Sequence, residues 1–400
     1  MKKMCRKVVS LLLAAVMVLT MTAFASVVYA ADEDSVEADP NFKMGVILVG
    51  DETEGYSAAH IAGIKEAAAE LGLDDSQIIW KYKVPEDSSC YDAAIDLVGQ
   101  GCSLVIGNSY GHQTYLVQAA QEYPDVTFVS MTGDFAAISG CENFKNAFTN
   151  IYESRYVSGV VAGLKLNEMI ENGDIKEDQT KIGYVGAYPY AEVKSGYTAF
   201  FLGVRSVCPS ATMKVIYTNS WASIDLEKEA AESLIADGCV LISQHADTTG
   251  ASTACEKAGV PIVGYNVSMI ATAPTQALTS ASIDWGPYYT YAVKSVIDGT
   301  KIDTDWCKGY DDGADKITEL NDKAIAKGTK EKVKEVEDAI KDGSLHVFDT
   351  STFTVDGKEL DSWKDDNGNE YIKDGYFHES ELHSAPAFAI NIDGIESVEK

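Results

Sequence analysis

Aromatic, amide and carboxylate side chains stand in the polar segments that directly follow apolar runs of this 400-residue chain. Aromatic rings gain free energy by stacking on a flat ligand, while amides and carboxylates fix the edge of that ligand by hydrogen bonds. The pattern therefore favours reversible binding of a flat, uncharged molecule. The residues in these segments are Tyr56, Asn108, Tyr110, Trp221, His245, Asp247, Asn266 and Trp285.

The same residues offer little for catalysis. His245 and Asp247 could in principle act as acid and base. However, no nucleophile elbow, His-Glu-x-x-His motif, phosphate-binding loop or Cys-x-x-Cys pair accompanies them. We therefore expect neither an enzyme nor a bound metal or cofactor.

Several of these residues have a structural alternative. Tyr56 could pack against the first helix, and Asp247 could cap the helix that follows it. Trp285 could belong to a hinge, with Pro287 in the first turn of the next helix. These alternatives stay open at the level of the sequence.

Cations are scarce in the same segments. Lys194, Arg155 and Arg205 are the nearest in sequence, and all three lie in or beside helical stretches, where exposure to solvent is expected. Phosphorylated and carboxylate ligands are therefore disfavoured.

Short apolar runs alternate with helical patterns from Lys43 onward, which predicts parallel sheets covered by helices on both faces. We therefore predict an α/β protein with two Rossmann-like lobes and a ligand cleft between them. Strands are predicted at Met44–Val49, Ile78–Tyr82, Ser103–Gly107 and Thr127–Ser130, and again at Lys181–Val185, Met213–Tyr217, Val240–Ser243 and Pro261–Val263.

The two halves resemble each other in sequence. The segment Gly-Cys-Ser-Leu-Val-Ile at 101–106 corresponds to Gly-Cys-Val-Leu-Ile-Ser at 238–243, so Asn108 and His245 occupy equivalent strand ends. Ligands of open parallel sheets bind beyond the carboxyl ends of the strands. Both sets of loops are therefore predicted to surround one cleft.

The predicted organisation has six parts. These are a signal peptide (1–30), a linker (31–42), an N-terminal lobe (43–148), a C-terminal lobe (149–283), a returning segment near 284–315 that completes the first lobe, and an acidic helical segment with a strand and turn tail (316–400).

The first 30 residues read as an export signal. Four cations, Lys2, Lys3, Arg6 and Lys7, precede an apolar run, and Val28-Tyr29-Ala30 offers a cleavage site. Cys5 lies upstream of the apolar run, so no lipobox is found. We expect a periplasmic protein or one at the extracellular face of the cytoplasmic membrane.

The formal net charge of −29 disfavours nucleic acid as a partner, because phosphates would be repelled. Seven cysteines follow the signal peptide, and an odd number cannot pair completely. We expect a monomer that binds a small molecule.

Several segments resemble the basic membrane protein family of ABC transporter substrate-binding proteins. That resemblance implies a type I periplasmic-binding fold, a membrane permease as partner and, as in several members, a purine nucleoside as ligand. The segments are Met44–Ile47 leading to Gly55-Tyr56-Ser57, Tyr123–Phe128, Tyr156–Leu164, Ile182–Gly186 and Ile340–Gly343.

The resemblance also assigns site residues. Tyr56, beside Ser57, matches the aromatic residue that stacks on one face of the base, and Asp134 matches the acidic residue that reads its edge. Tyr188 and Tyr190, or alternatively Tyr197, would cover the opposite face.

The chain departs from the family where a ribose would bind. Asn266 stands in Gly-Tyr-Asn-Val-Ser instead of Gly-Val-Asp-Ser-Asp, and Ile283 replaces an expected lysine. Our hypothesis is a free nucleobase, with Trp285, Trp221 or Tyr265 filling the space of the sugar. A sensory receptor and a sugar-binding transport receptor of the same fold are the alternatives.

Overall fold

The computed structural model describes residues 39–398. The predicted signal peptide and residues 31–38 of the predicted linker lie outside the described residues. Within the described range, two parallel-sheet lobes are present, which confirms the predicted fold class.

The first lobe contains a sheet of six strands, all paired in parallel. The strands are β1 (Met44–Ile47), β2 (Ile78–Lys81), β3 (Leu104–Gly107), β4 (Thr127–Ser130), β5 (Phe144–Thr149) and β11 (Asp305–Lys308). Their spatial order is β11-β5-β4-β3-β1-β2. The helices of this lobe are α1 (Gly55–Leu71), α2 (Ser88–Gly99), α3 (Gln113–Glu122) and α8 (Gly286–Asp298), which packs against α1.

The second lobe contains a sheet of seven strands, in which only β12 pairs antiparallel with its neighbour. The strands are β6 (Lys181–Gly186), β7 (Thr212–Tyr217), β8 (Leu241–Gln244), β9 (Ile262–Tyr265), β10 (Ala277–Ile283), β12 (Asp315–Ile317) and β15 (Ile395–Val398). Their spatial order is β12-β10-β9-β8-β6-β7-β15. The helices are α4 (Ile151–Asn172), α5 (Ala191–Val207), α6 (Ile224–Ala236) and α7 (Gly250–Ala258).

Two glycines allow α4 and α5 to pack closely. A Cβ atom at Gly159 would lie 2.1 Å from the carbonyl oxygen of Phe200, and one at Gly203 would lie 2.1 Å from that of Tyr156. Neither distance is possible for a real side chain, so the two backbones can meet only where both helices carry glycine. This contact fixes the position of α5, which begins at the cleft.

The chain passes between the lobes three times, after β5, β10 and β11. Hydrogen bonds join these three crossovers to one another. The Ser154 hydroxyl donates to the carbonyl oxygen of Lys316 at 2.6 Å and accepts from the amide of Ser282 at 3.0 Å. The amide of Asn150 donates to the carbonyl oxygen of Lys308 at 2.8 Å. The crossovers therefore hold the ends of both sheets around one cleft.

The tail packs on the second lobe. The sequence predicts an acidic helical segment from Lys316 to Asp342, but residues 315–317 form β12 and α9 spans only Thr329–Lys341. A short hairpin of β13 (Ile372–Lys373) and β14 (Tyr376–Phe377) follows, and β15 extends the sheet beside β7. Phe348 stacks on Phe388 with ring centroids 4.4 Å apart. The tail thus contributes its own aromatic residues to the core.

All seven cysteines in the described residues are free thiols, five of them buried. Burial raises the pKa of the Cys102 and Cys239 thiols to about 11. These cysteines pack as small apolar side chains.

Candidate ligand-binding site

A cavity lies between the lobes at the carboxyl ends of the parallel strands, where ligands of such sheets bind. Its empty volume is about 450 Å³, part of which is open to solvent. The first lobe contributes Val49, Tyr56, Asn108, Ser109, Tyr110, Thr132 and Phe148, and the second contributes Glu192, Trp221, His245, Asp247 and Tyr265.

Seven of the residues predicted from the sequence line this cavity. Six come from the segments that follow β1, β3, β7 and β8, and Tyr265 is the last residue of β9, so the strand-end argument brings together residues far apart in the chain. The seven are Tyr56, Asn108, Tyr110, Trp221, His245, Asp247 and Tyr265.

Tyr56 is positioned by the start of α1. The carboxylate of Glu54 accepts hydrogen bonds from the amides of Tyr56 and Ser57 at 2.6 and 2.9 Å, which caps the helix. The Tyr56 hydroxyl donates to the carbonyl oxygen of Met131 at 3.1 Å. The ring is thereby held on the wall of the cavity.

Three predicted residues lie behind the wall and not on it. Ser57 is fully buried and its hydroxyl accepts from the amide of Gly50. Asn266 is buried and donates to the carboxylate of Asp247 at 2.6 Å. Trp285 is 1% exposed and stacks on His60, with centroids 4.2 Å apart. The sequence predicts that these three residues belong to the ligand site. In the structure they lie behind the cavity wall and support it.

Three further predicted residues lie outside the cavity lining. Tyr188 and Tyr190 stack on each other with centroids 5.2 Å apart, and Tyr188 packs edge-on against Trp221. Tyr190 is 49% exposed and its ring centroid is 6.4 Å from that of Tyr110 in the other lobe. Asp134 accepts hydrogen bonds from the hydroxyl of Tyr110 and from Gln113, at 3.2 and 3.1 Å.

Tyr197 is predicted as the alternative residue that covers the opposite face of the base, but it does not line the cavity. It is 2% exposed and belongs to the core of the second lobe, where it packs against Tyr184 at 5.8 Å. The sequence around Gly196 resembles the start of α1, but α5 already begins at Ala191, so Tyr197 lies inside the helix and its ring packs in the core.

Asn108 and His245 occupy the matching strand ends that the sequence repeat predicted. Asn108 is fully buried and its amide is engaged on both sides, since Oδ1 accepts from Val49 at 2.8 Å and Nδ2 donates to Ser57 at 3.2 Å. His245 has Nε2 2.8 Å from Glu192 and Nδ1 3.3 Å from the Tyr184 hydroxyl. Burial lowers the pKa of His245, and the Glu192 charge opposes that shift.

Arg155 contradicts the expectation of solvent exposure. It is 1% exposed, because α4 is covered on both sides by α5 and by β10. Its guanidinium lies 3.6 Å from the centroid of the Tyr265 ring and donates to the carbonyl oxygen of Gln244 at 2.8 Å. The cation therefore supports the cavity wall from behind.

Asp247 is the most deeply buried acid of the cavity wall. Burial raises its pKa well above the ordinary value, and the charges of Glu54, Glu227 and Glu192 raise it further. The hydrogen bond from Asn266 acts in the opposite direction. Within the described residues, no lysine or arginine lines the cavity.

The sequence reasoning missed Glu192, Phe148, Thr132, Ser109 and Val49 as wall residues. Glu192 is the second residue of α5, and it could have been found as a first-turn residue of a helix that starts at a strand end. Phe148 lies within β5 and carries no such signal.

The part of the chain from residue 39 to 398 contains no group of three or more His, Cys, Asp and Glu side chains arranged to hold a metal ion. Nor does it contain a helix whose length and hydrophobicity would let it cross a membrane.

Comparison with known proteins gives a consistent family assignment. The family model described as "ABC transporter substrate-binding protein PnrA-like" matches residues 44–345. The chain is 31% identical to a purine-binding protein of Brucella abortus over 81% of its own length and 88% of that protein. It is also 31% identical to a putative ABC transporter glucose-binding protein of Haloferax volcanii, over 69% of this chain and 66% of that one.

Solved structures support the fold alone. A solute-binding protein of an ABC transporter system from Conexibacter woesei superposes with a TM-score of 0.61 at 20% identity, covering 76% of this chain and 98% of its own. One from Aeropyrum pernix gives a TM-score of 0.65 at 16% identity, covering 77% and 93%. The resemblance noted from the sequence is confirmed.

Proposed function

This chain belongs to the PnrA-like family of ABC transporter substrate-binding proteins, and from that premise we propose that it captures a purine-type nucleobase or nucleoside. Substrate-binding proteins of this class work outside the cytoplasm. The captured molecule would be delivered to the permease of the transporter, with the protein acting as a monomer after removal of an export signal at residues 1–30.

One observation carries the proposal. Aromatic rings from both lobes face one cavity, with Tyr56 on the first lobe and Trp221 and Tyr265 on the second. Asp247 lines the same cavity and offers a hydrogen-bonding group for a ring edge. A flat heterocycle is the ligand class that uses stacking surfaces and edge hydrogen bonds together. The purine-binding relative from Brucella abortus supports the same class.

We propose a free base in preference to a nucleoside. The two positions that would hold ribose hydroxyls carry the uncharged side chains Asn266 and Ile283. The Asn266 amide is already hydrogen-bonded to Asp247, and Ile283 is 3% exposed in β10. Trp221 and Tyr265 line the cavity, as the hypothesis of a filled sugar space requires. Trp285 does not contribute to that filling, because it lies behind Tyr56.

The mechanism proposed is closure of the lobes without chemistry. The amide of Gly55 at the start of α1 donates to the carbonyl oxygen of Asp247 at 2.9 Å, so the two walls touch directly beside the cavity. A ligand that contacts both lobes stabilises this closed arrangement, and the three crossovers absorb the rotation. The permease would then bind the closed form.

A sugar is the second candidate, because the glucose-binding relative is as similar in identity as the purine-binding one. Carboxylates on the wall, Asp247 and Glu192, could also accept hydrogen bonds from sugar hydroxyls. The ligand screen therefore includes sugars.

The test is thermal unfolding of the chain from Ala31 onward, after co-purified ligand has been removed by unfolding and refolding. The panel contains purine bases, their nucleosides, uracil and a set of sugars. A ligand at 100 times its dissociation constant adds about 2.7 kcal/mol to the unfolding free energy. We expect bases to raise the midpoint more than nucleosides. A shift with sugars alone would refute the purine proposal.

A further inference from the structure

Most polar atoms on the cavity wall are already engaged by the protein. The Asn108 amide is used by Val49 and Ser57, as described above, and both ring nitrogens of His245 face Glu192 and Tyr184. A ligand cannot take these hydrogen bonds without breaking internal ones. They hold the shape of the wall, and the second amide hydrogen of Asn108 is the part of these two side chains that has no partner among the described residues.

The carboxylates are different, because each has an oxygen left over. Asp247 receives the Asn266 amide on Oδ1, and no hydrogen bond from the described residues reaches its Oδ2. Glu192 meets His245 with Oε1, and its Oε2 likewise has no partner in residues 39–398. Neither spare oxygen is among the sealed, unpartnered atoms of the described interior. The wall thus offers hydrogen-bond acceptors to a ligand.

The surroundings of Asp247 supply few hydrogen-bond donors to its carboxyl group. Its charged neighbours are the acids Glu54, Glu227 and Glu192. The nearest buried cation, Arg155, stands behind the ring of Tyr265 and donates to a backbone carbonyl. Burial and these acids raise the pKa of Asp247, so the protein by itself disfavours the ionised carboxylate. An N–H donor of the ligand at Oδ2 favours the ionised form and offsets part of that cost, beside the one donor that Asn266 already supplies. Hydrogen bonds to a charged group are the stronger kind.

We propose that Asp247 reads an exocyclic amino group on the ligand, so that the protein prefers amino-bearing purines such as adenine and guanine. This inference rests on the proposed function and adds the substituent that the cavity selects. Asp247 accepts the amino hydrogen on Oδ2, while Asn266 holds Oδ1. The rings of Tyr56 and Trp221 keep the base in place.

The geometry also removes the role expected for Asp134. That side chain accepts from the Tyr110 hydroxyl and from Gln113 and is not part of the cavity lining. It orients the ring of Tyr110 at the mouth. The two aspartates therefore provide a matched pair of variants, Asp247→Asn and Asp134→Asn.

The experiment is calorimetric titration of the ligand-stripped full chain from Ala31 with two pairs of bases. Adenine is compared with unsubstituted purine, and guanine with hypoxanthine, because each pair differs by one amino group. In the wild type we expect at least one amino base to bind about 10-fold to 100-fold more tightly than its partner, the range for one hydrogen bond to a charged group. Asp247→Asn should bring that ratio close to one, whereas Asp134→Asn should keep it.

Each outcome decides the matter. Equal binding within both pairs overturns the inference while leaving the proposed function intact, and so does a preference that Asp134→Asn removes or that Asp247→Asn retains. If none of the four bases binds, the inference fails, and the proposed function fails with it only when the corresponding nucleosides do not bind either. Should Asp247→Asn not fold, the wild-type ratios and Asp134→Asn still test the assignment.

Discussion

Replacing Glu379 with glutamine should remove one part of the loss of stability that the protein shows as the pH rises from 4.5 to about 8. Glu379 lies in the tail and is 2% exposed. Its Oε2 accepts hydrogen bonds from the amides of Ala387 and Phe388 at 3.2 and 2.7 Å. These bonds favour the charged carboxylate, but burial outweighs them and raises the pKa of Glu379 to about 8.

The direction in which the unfolding free energy changes with pH depends on how many protons the folded and unfolded states bind. Between the ordinary glutamate pKa of 4.5 and about 8, the folded protein keeps the Glu379 proton while the unfolded chain has lost it. The unfolded state is then favoured by rising pH, at about 1.4 kcal/mol per pH unit. The contribution of Glu379 to stability is fully present below pH 4.5. Over the whole window it falls by about 5 kcal/mol at most.

The assay is urea unfolding of the chain from Ala31 at several pH values from 4.5 to 9. Burial also raises the pKa of Glu227 and of Glu153 to about 7, and it raises the pKa of Asp247 and of Asp315 well above the ordinary value. The wild type therefore loses stability with rising pH at several carboxyls besides Glu379. The informative quantity is therefore the difference between wild type and Glu379→Gln. Glu381→Gln serves as control, because the hydrogen bond from Lys373 lowers the pKa of Glu381. Parallel curves for wild type and Glu379→Gln would refute the argument.

Three further substitutions test the account. Trp285→Ala should lower the unfolding free energy by about 3–5 kcal/mol in urea titrations, because a large buried ring stacked on His60 is lost; a change below 1 kcal/mol would place Trp285 at the surface. Phe388→Ala should cost a similar ~3–5 kcal/mol, and an unchanged unfolding midpoint would mean that the tail does not share the core. Tyr56→Ala should weaken base binding in calorimetry by about 1–3 kcal/mol if the ring stacks on the ligand. Tyr56→Phe keeps the ring and should lose only the hydrogen bond to Met131. If wild type and Tyr56→Ala bind the base with equal affinity, Tyr56 does not belong to the site.

The fold could be predicted because its signals are local. Apolar runs bounded by polar turns mark β1, β3 and β8 in the sequence, and parallel sheets then place the loops after these strands at one edge. The repeat around Cys102 and Cys239 likewise predicted that Asn108 and His245 stand at matching strand ends. Both residues line the cavity.

The packing of single side chains could not be predicted, because it depends on partners far away in the chain. Trp285 follows a strand end like a wall residue, yet the surface of α1 around His60 provides a better-packed position. The sequence predicts that Arg155 is exposed, because it lies in a helical stretch. The helix that carries it, α4, packs against both α5 and β10, which buries the side chain. Its guanidinium finds the Tyr265 ring and a carbonyl there instead of water.

The tail escaped prediction for a similar reason. Its acidic composition is typical of a solvated surface, so the sequence supports no assignment beyond an extension that braces a lobe. Its buried aromatic residues are spread over the sequence and meet only in the folded protein, where Phe348, Phe377 and Phe388 cluster. The spacing of these aromatic residues in the sequence follows neither a helix nor a strand period, so it does not predict the cluster.

The central claim is that a flat purine base binds between the lobes, and calorimetric titration of the ligand-stripped protein with adenine, adenosine and glucose tests it most directly. The account predicts one site per chain, tighter binding of adenine than of adenosine, and no heat with glucose. Binding of glucose at one site, with no heat from either purine compound, would contradict it.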